Sequence, residues 1–283
     1  MDNLAENKEL IAWCSAGLCN RLRVLFSSYI LAKATNRKFY MVWKKNGECG
    51  ADFKDLFQNT EFEIDPTGEK AKGCDVKKPS VEKDYFGSNI ISNVLNDKTE
   101  KICFYYWGFI INPYVFPEQK EIGDAVYKLI DTLKPLGHIQ KKIDYFYKEC
   151  FNGIIMGVHV RRGDFKTDKK EYTENLGKIV ERMDNFLGRF PDGKFFIATD
   201  DGAPSPKGLP IEKENLLDFF IKRYPEKVIY YPVRSLDRAK LEAIEDALIT
   251  LFLLRKTDEF VGNSYSSFSD FATVNRKINC VRV

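Results

Sequence analysis

The hydrophobic pattern near the N-terminus predicts a strand, a turn, a helix and a second strand. Residues 10–14 form a short apolar run, and residues 15–20 form a turn that contains Gly17. From residue 21 to residue 35 the apolar positions recur with the period of an amphipathic helix, and residues 39–43 are again strand-like. Such a β-α-β unit builds a parallel sheet with a right-handed crossover.

The middle of the chain is less regular. Residues 44–100 are polar and rich in Gly, Lys and Asp, which predicts loops, short helices and an edge element. Residues 101–107 are strand-like, and the helical periodicity of residues 121–150 is interrupted by Pro135-Leu136-Gly137. We place a domain junction in this helical stretch.

The second half alternates strands and helices. Apolar runs predict strands at 153–159, 194–198, 227–231 and 258–261, and amphipathic periods predict helices at 172–190, 213–224, 238–255 and 267–274. The first of these strands is almost wholly apolar, as expected for a strand that is buried on both faces. The chain is therefore predicted to be an α/β protein with two Rossmann-like domains facing a cleft, at 1–135 and 136–283.

Length and charge narrow the classes of function. The 283 residues suit two domains. The formal net charge is only +3, from 44 basic and 41 acidic residues, which argues against a dedicated nucleic-acid binder. The longest apolar stretch, at 248–254, is far shorter than the roughly 20 residues that span a bilayer, and residues 1–7 do not resemble a signal peptide. We expect no transmembrane segment and no nucleic-acid partner.

The chain has seven cysteines and two histidines. The odd number of cysteines, without a C-x-x-C pair, predicts free thiols in a reducing compartment, so we expect a cytoplasmic location. Neither His138 nor His159 has metal-ligand spacing to a cysteine, and we expect no metal site. His138, in a predicted interdomain loop, is interpreted as a surface or core residue.

The sharpest candidate segment is Gly-Val-His-Val-Arg-Arg-Gly-Asp-Phe at 157–165. A buried strand brings His159, Arg161 and Arg162 to its carboxyl end, which is where ligands bind in open α/β sheets. Arginine presents a planar fork of donors that matches phosphate oxygens, so this pair can hold a diphosphate and stabilise its charge as a leaving group. The alternative is a structural ion pair, for example between Arg162 and Asp164.

Polar residues also gather at the N-terminal turn. Gly17, Cys19, Asn20 and Arg21 lie between the first strand and the first helix, where backbone N–H groups and the helix dipole favour an anion. The alternative is an ordinary strand-to-helix turn, with Arg21 as a charge on the helix surface.

Two further segments end strands of the second half. Asp200 and Asp201 follow the strand at 194–198, and their carboxylates can accept hydrogen bonds from a ligand or cap a helix. Ser264, Ser266 and Ser267 follow the strand at 258–261, at the start of a helix that can bind phosphate. Helix capping explains one of these serines but not all of them.

The string His-Val-Arg-Arg-Gly-Asp resembles the first signature of the fucosyltransferase superfamily, which includes α1,2- and α1,6-fucosyltransferases and protein O-fucosyltransferases. The turn at 17–21 is similar to the family's N-terminal G-x-x-N-[RQ] turn. Residues 195–201 and 260–271 resemble its second and third motifs. The resemblance implies the glycosyltransferase-B fold, a GDP-fucose donor, inversion of the anomeric centre, a glycan acceptor and no metal or other cofactor.

The resemblance also implies roles for residues of this chain. Arg161 would hold the β-phosphate and offset its developing charge. The predicted nucleotide-sugar site comprises Gly17, Cys19, Asn20, Arg21, His159, Arg162, Asp200, Asp201, Asp246, Ser266 and Ser267.

One position departs from the family pattern. The acid that usually faces the base would fall at residue 250, which is Thr250, and the nearest acids are Glu245 and Asp246, one turn earlier. Either Asp246 substitutes for the family acid or the contact to guanine is lost. Transfer of xylose, rhamnose or galactose from UDP or GDP is therefore an alternative.

The catalytic base and the acceptor side each have more than one candidate. An inverting transfer needs a carboxylate to take the proton of the acceptor hydroxyl. The family register for this acid falls on Lys169, which leaves Asp164, Asp168 and Glu171 as candidates. The aromatic run at 104–109 is either part of an acceptor groove or a core strand.

Two other classes compete with a transferase. A non-catalytic nucleotide or glycan binder would keep the fold without turnover. A Rossmann oxidoreductase is disfavoured because no G-x-G-x-x-G segment follows a predicted strand.

Overall fold

A computed structural model describes residues 8–79, 81, 85–111, 120–161, 169–201 and 215–283, with the backbone alone for 120, 122 and 169–174. The chain divides into two compact units, Met1–Leu136 and Gly137–Val283. The boundary lies within the Pro135-Leu136-Gly137 interruption of the helical pattern.

The first unit contains a parallel sheet with the strand order β3-β2-β1-β5-β4. Its strands are β1 (Glu9–Trp13), β2 (Lys38–Val42), β3 (Ile64–Asp65), β4 (Asp75–Lys77) and β5 (Lys101–Tyr105). Its α-helices are α1 (Leu18–Ala34), α2 (Ile90–Asn96) and α3 (Lys120–Lys128), and short 3-10 turns lie at Phe53–Asp55, Glu69–Ala71 and Leu129–Thr132. The central strand β1 is apolar, as expected for a parallel strand that is buried on both faces, and Leu10, Ile11 and Ala12 are fully buried.

The second unit contains a parallel sheet with the strand order β10-β9-β6-β7-β8. Its strands are β6 (Ile155–Val160), β7 (Lys194–Thr199), β8 (Val228–Ile229), β9 (Glu259–Gly262) and β10 (Asn279–Arg282). Its helices are α4 (Gly137–Cys150), α5 (Lys169–Arg189), α6 (Leu216–Arg223), α7 (Leu241–Leu254) and α8 (Ser267–Thr273).

The two faces of β6 pack differently. Val158 and Val160 join a buried apolar cluster with Ile179 and Phe186 of α5. On the other face, a Cβ at Gly157 would lie 2.8 Å from Thr257 Oγ1 and 3.1 Å from Leu254 Cδ2. Glycine is needed there because the end of α7 lies directly against the strand. This alternation puts the side chain of His159 on the face that also carries α7 and α8.

The structure confirms the α/β class and the two parallel sheets. The polar stretch 44–100 contains not one but two edge strands, β3 and β4, which are too short to leave a hydrophobic period. The strand predicted at 101–107 ends at Tyr105. The helix predicted from residue 213 begins at Leu216, because Asn215 caps it by accepting the Leu217 N–H at 2.9 Å. Strand β10 was not predicted. All seven cysteines are free thiols, as expected.

Candidate active site

The second sheet reverses its winding direction between β6 and β9. Strands β7 and β8 lie on one side of β6, and β9 and β10 lie on the other. Ligands of open α/β sheets bind outside the carboxyl ends of the strands at such a point. Arg161 and Asn263 directly follow the two strands there, and the Arg161 backbone N–H donates to Asn263 Oδ1 at 2.7 Å. The backbone of Arg161 is therefore fixed at the predicted ligand edge.

His159 lies on β6, two residues before Arg161, and is paired with Gly262 of β9. Its Nδ1 is 2.7 Å from Ser269 Oγ of α8, and its ring centre is 4.9 Å from that of Phe268. A Cβ at Gly262 would lie 2.8 Å from Ser269 Oγ. The absence of a side chain at Gly262 thus allows α8 to approach closely enough for Ser269 to bond His159.

The environment of His159 keeps its ring neutral. Burial first, and then the charges of Arg161 and Arg282, lower the pKa of His159 to about 3. The residue is 6% exposed. At neutral pH it can orient neighbours and act as a dipole, but it does not carry a positive charge.

The loop between β9 and α8 is fixed to Val283 where it leaves β9. Ser264 N–H donates to Val283 O at 2.7 Å, and Val283 N–H donates to Gly262 O at 3.0 Å. Ser266 is fully enclosed and Ser267 is buried. Within the described ranges the Ser266 hydroxyl has no hydrogen-bond partner. A ligand would reach Ser266 only if neighbouring side chains moved.

Tyr265 projects from this loop. Its φ is 59°, in the left-handed region, and the residue is 92% exposed. The left-handed conformation costs a residue with a Cβ about 1–2 kcal/mol, whereas glycine adopts this conformation at a smaller, entropic cost.

Tyr265→Gly is therefore expected to raise the free energy of unfolding by up to about 1 kcal/mol. Urea unfolding of the variant beside the wild type measures the change. Tyr265→Ala is the control, because alanine removes the ring and keeps the Cβ. A glycine variant less stable than the alanine variant would contradict the conformational argument.

The two acids after β7 have different surroundings. Asp201 is buried, and its Oδ2 accepts the Leu216 N–H at 2.8 Å, so it caps the start of α6. Asp200 remains at the sheet edge, with Oδ2 3.5 Å from Arg238 Nη2. Of the two predicted nucleoside contacts, Asp200 is the one whose position suits a ligand.

The acids of α7 hold the loop that follows β8. Asp246 is fully buried, and its carboxylate accepts hydrogen bonds from the backbone N–H of Arg234 at 2.6 Å and from its guanidinium at 2.7 Å. Glu245 Oε2 lies 2.7 Å from Arg234 Nη2, and its Oε1 lies 3.0 Å from His138 Nε2. Burial acts to raise the pKa of Glu245, but these hydrogen bonds lower it overall. The carboxylate of Asp246 is thus engaged by Arg234, and Thr250 is buried in the same helix.

The N-terminal turn of the first unit is fixed by Arg21. This arginine is fully buried, and its guanidinium donates to Ala16 O at 2.7 Å, Lys44 O at 2.7 Å and Asn46 Oδ1 at 2.9 Å. Asn46 in turn donates to Ser15 O at 2.6 Å. Arg21 therefore shapes the turn from inside and is neither a ligand-facing group nor a surface charge.

The other residues of the turn differ in accessibility. Cys19 is buried, whereas Asn20 is half-buried, with Oδ1 3.4 Å from Arg23 Nη1. Gly17 has a φ of −65°, which any residue can adopt, and a Cβ there would meet only Glu48 O at 3.6 Å. The fold itself does not require glycine at this position.

Comparison with known proteins adds to this geometry. The sequence matches no family model and no curated protein. Among solved structures, NodZ α1,6-fucosyltransferase soaked with GDP-fucose matches at 17% identity and a TM-score of 0.59, over 94% of this chain and 91% of that one. NodZ from Bradyrhizobium gives a TM-score of 0.60 at 17% identity, over 94% of this chain and 92% of that one.

Two other fucosyltransferases are similar. A mutant of FUT1 from Arabidopsis thaliana in complex with GDP matches at 13% identity and a TM-score of 0.60, over 96% of this chain and 69% of that one. POFUT1 in complex with GDP-fucose matches at 13% identity and a TM-score of 0.55, over 98% of both chains. The chain has the fold of the fucosyltransferase-like glycosyltransferases. The fold that the motif resemblance implied is thereby confirmed.

Part of the predicted fucosyltransferase-like site lies outside the described residues. This holds for Arg162, Asp164 and Asp168, and for the side chain of Glu171, whose backbone belongs to α5. In the part of the chain that is described, no cluster of His, Cys, Asp or Glu side chains could hold a metal ion. None of the described helices is both long and apolar enough to cross a membrane.

Several residues of the site were not predicted from the sequence. Asn263 and Ser269 position Arg161 and His159, and Arg234 and Arg238 bind the predicted acids. A signal was available for the arginines, because they lie in the loop after a parallel strand, where ligand-edge residues gather. For Ser269 the signal was Gly262, whose missing side chain marks a close approach.

Proposed function

We propose that the chain is an inverting, metal-independent glycosyltransferase that transfers L-fucose from GDP-fucose to a glycan hydroxyl. The observation that carries the proposal is Arg161, fixed at the switch point of the second sheet by Asn263. The GDP-fucose and GDP complexes of the similar structures support the same donor. A cytoplasmic location remains a prediction from the free thiols.

The chemistry follows from the donor. The acceptor oxygen forms a bond to the anomeric carbon while the bond from that carbon to the β-phosphate oxygen breaks, and GDP leaves with the electron pair. The Arg161 guanidinium offsets the negative charge that develops on the diphosphate. His159 is neutral and contributes as a dipole near the nucleotide.

The acceptor proton passes to a carboxylate. Asp164, Asp168 and Glu171 are the candidates, because each follows the double-arginine segment closely in sequence. A variant of each to its amide, assayed for transfer at saturating donor, distinguishes them.

A second donor class has a specific observation in its favour. Asp246, the nearest acid to the family position, is fully buried and held by Arg234, and residue 250 is threonine. The usual acidic contact to guanine is therefore not offered by Asp246. Transfer of another sugar, such as xylose, rhamnose or galactose from UDP or GDP, is the alternative proposal.

Thermal shift with nucleotides tests the donor. Purified protein is heated with GDP, UDP, ADP, dTDP or CMP, each at saturating concentration, in parallel samples with and without EDTA. We expect GDP alone to raise Tm, because ligand at about 100 times its Kd adds about 2.7 kcal/mol of stability.

The other possible results of the thermal-shift experiment each point to a different donor or function. A shift with UDP in place of GDP would favour the second donor class. A GDP shift that EDTA abolishes would contradict metal independence. Binding of GDP without any transfer to a panel of glycans would favour a non-catalytic binder.

A further inference from the structure

We propose that Arg282, in the last strand of the second sheet, is a positioning residue of the donor site. It holds Ser269, and the Ser269 hydroxyl sets the tautomer of His159, so that this ring carries its proton on Nε2. The inference rests on the proposed function and deepens it, because it names what His159 offers the nucleotide: a hydrogen-bond donor for an oxygen atom.

The three residues meet over one row of the second sheet. Gly262 of β9 is paired with His159 of β6 on one side and with Arg282 of β10 on the other. Paired residues of parallel strands point to the same face, so His159 and Arg282 flank the space above Gly262. Ser269 of α8 fills that space, since a Cβ at Gly262 would lie 2.8 Å from Ser269 Oγ.

Arg282 holds the backbone of Ser269. Its Nη2 donates to Ser269 O at 2.5 Å and to Thr273 Oγ1 at 2.6 Å, and it lies 3.4 Å from Asp270 Oδ1. The guanidinium carbon lies 5.1 Å from the centre of the Phe260 ring of β9. These contacts tie α8 to β10 and fix the place of Ser269.

The Ser269 hydroxyl has one acceptor. Ser269 is fully buried, and His159 Nδ1, at 2.7 Å, is the only hydrogen-bond partner of its Oγ among the residues that the structure describes. A buried O–H that donates to nothing costs free energy. The hydroxyl therefore donates to Nδ1, which presents its lone pair, and the ring proton lies on Nε2.

The other protonation states of His159 fit these contacts less well. A proton on Nδ1 would make Ser269 Oγ the acceptor and leave the hydroxyl hydrogen without a partner in the described part of the chain. A doubly protonated ring would do the same, and burial and the charges of Arg161 and Arg282 lower the pKa of His159 to about 3. Because Arg282 lies on the far side of Ser269, its positive charge also favours a lone pair over an N–H at Nδ1.

The tautomer decides what His159 can offer a ligand. Its Nδ1 is bonded to Ser269 and its ring centre is 4.9 Å from that of Phe268, so Nε2 is the polar atom of the ring that remains. An Nε2–H is a donor and the positive end of the ring dipole, which suits a phosphate, ribose or carbonyl oxygen of the nucleotide. The opposite tautomer would present a lone pair there, which a phosphate or carbonyl oxygen cannot use.

Nitrogen NMR of the whole chain measures the tautomer directly. The chain has two histidines, so protein labelled with nitrogen-15 in its imidazole rings gives two sets of signals, and His138→Gln assigns them. We expect His159 of the wild type at pH 7.5 to be protonated on Nε2 and not on Nδ1. Addition of GDP should shift the Nε2–H proton signal of His159.

Two variants test the positioning. Ser269→Ala removes the hydroxyl, and Arg282→Met removes the guanidinium that holds Ser269. In each variant the His159 ring should populate both tautomers. Each should also raise the Kd for GDP, by about tenfold for Ser269→Ala, because an oriented hydrogen-bond donor is lost.

Arg255→Met separates positioning from stability and is the matched control. Arg255 Nη1 donates to Phe271 O at 2.5 Å and to Val274 O at 3.2 Å, at the C-terminal end of α8. Loss of these bonds should lower Tm, as in Arg282→Met. The tautomer of His159 and the Kd for GDP should nevertheless stay as in the wild type.

The outcomes separate this inference from the proposed function. A wild-type His159 protonated on Nδ1 would overturn the inference whatever the variants do, and so would an unchanged tautomer in both Ser269→Ala and Arg282→Met. A changed tautomer with an unchanged Kd for GDP would overturn the part of His159 in donor binding. A tautomer that depends on Ser269 and Arg282, in a protein that binds no nucleotide, would support the positioning and contradict the proposed donor.

Discussion

Arg161→Ala is expected to lower the rate of sugar transfer by about a thousandfold or more, with the fold intact. The guanidinium is the group proposed to offset charge on the departing diphosphate, so its loss acts on the transition state. The hydrogen bond to Asn263 comes from the backbone N–H of residue 161, and alanine keeps it. The circular dichroism spectrum and Tm should therefore change little. Release of GDP from GDP-fucose in the presence of acceptor measures the rate.

Two comparisons sharpen this experiment. Arg161→Lys keeps the charge and loses the planar fork, so it should recover only part of the rate. Arg182→Ala removes an exposed arginine of α5 and serves as the matched control. Near-normal turnover in Arg161→Ala would remove Arg161 from the mechanism.

His159 should make the protein sensitive to mild acid. Its pKa in the folded state is lowered to about 3, whereas the unfolded chain has a pKa near 6.5. Between these values the unfolded state binds a proton that the folded state does not, so stability falls as the pH falls. The contribution is fully present above about pH 6.5 and is lost progressively towards pH 3. The slope for one proton is at most about 1.4 kcal/mol per pH unit.

The contribution of His159 is isolated by a difference between two proteins. His159→Asn retains a polar group near Ser269 and does not titrate, although it is expected to be less stable at pH 7.5. Carboxylates such as Glu245 titrate in both proteins, so their effects cancel in the difference. Urea unfolding at pH 7.5, 6, 5 and 4 should give curves that converge as the pH falls. Parallel curves would show that the imidazole is protonated to the same extent in both states.

The parts of the fold that follow from the sequence are those with a strong local pattern. The buried strand β6 is a continuous apolar run, and it places His159 and Arg161 near the carboxyl end of a parallel strand without further information. Strand β10 has no such pattern: its sequence is Asn-Cys-Val-Arg, and it lies at the edge of the sheet. It forms because it pairs with the backbone of β9, so its cause is a tertiary contact and not its own sequence pattern.

The difference between local sequence patterns and tertiary contacts also explains where the structure places two of the predicted site residues. Arg21 and Asp246 entered the predicted site through the family resemblance, Arg21 from the N-terminal turn and Asp246 as the acid nearest the family position. Their burial depends on partners elsewhere in the chain, namely Lys44 and Asn46 for Arg21 and Arg234 for Asp246. No local pattern reports such a partner. Residue type and spacing point to the carboxyl edge of the sheet, but they do not separate the groups that could face a ligand from those that hold the edge together.

The amide of Asn263 has a consequence for the thermodynamics of donor binding. It joins the residue after β6 to the residue after β9, at the point where the ladder between these strands stops. The two strand ends are thus held together one residue beyond the last pair of the ladder. Under the proposed function, a donor bound at this edge would find these two strand ends already ordered, so less of its interaction energy would be offset by lost chain entropy.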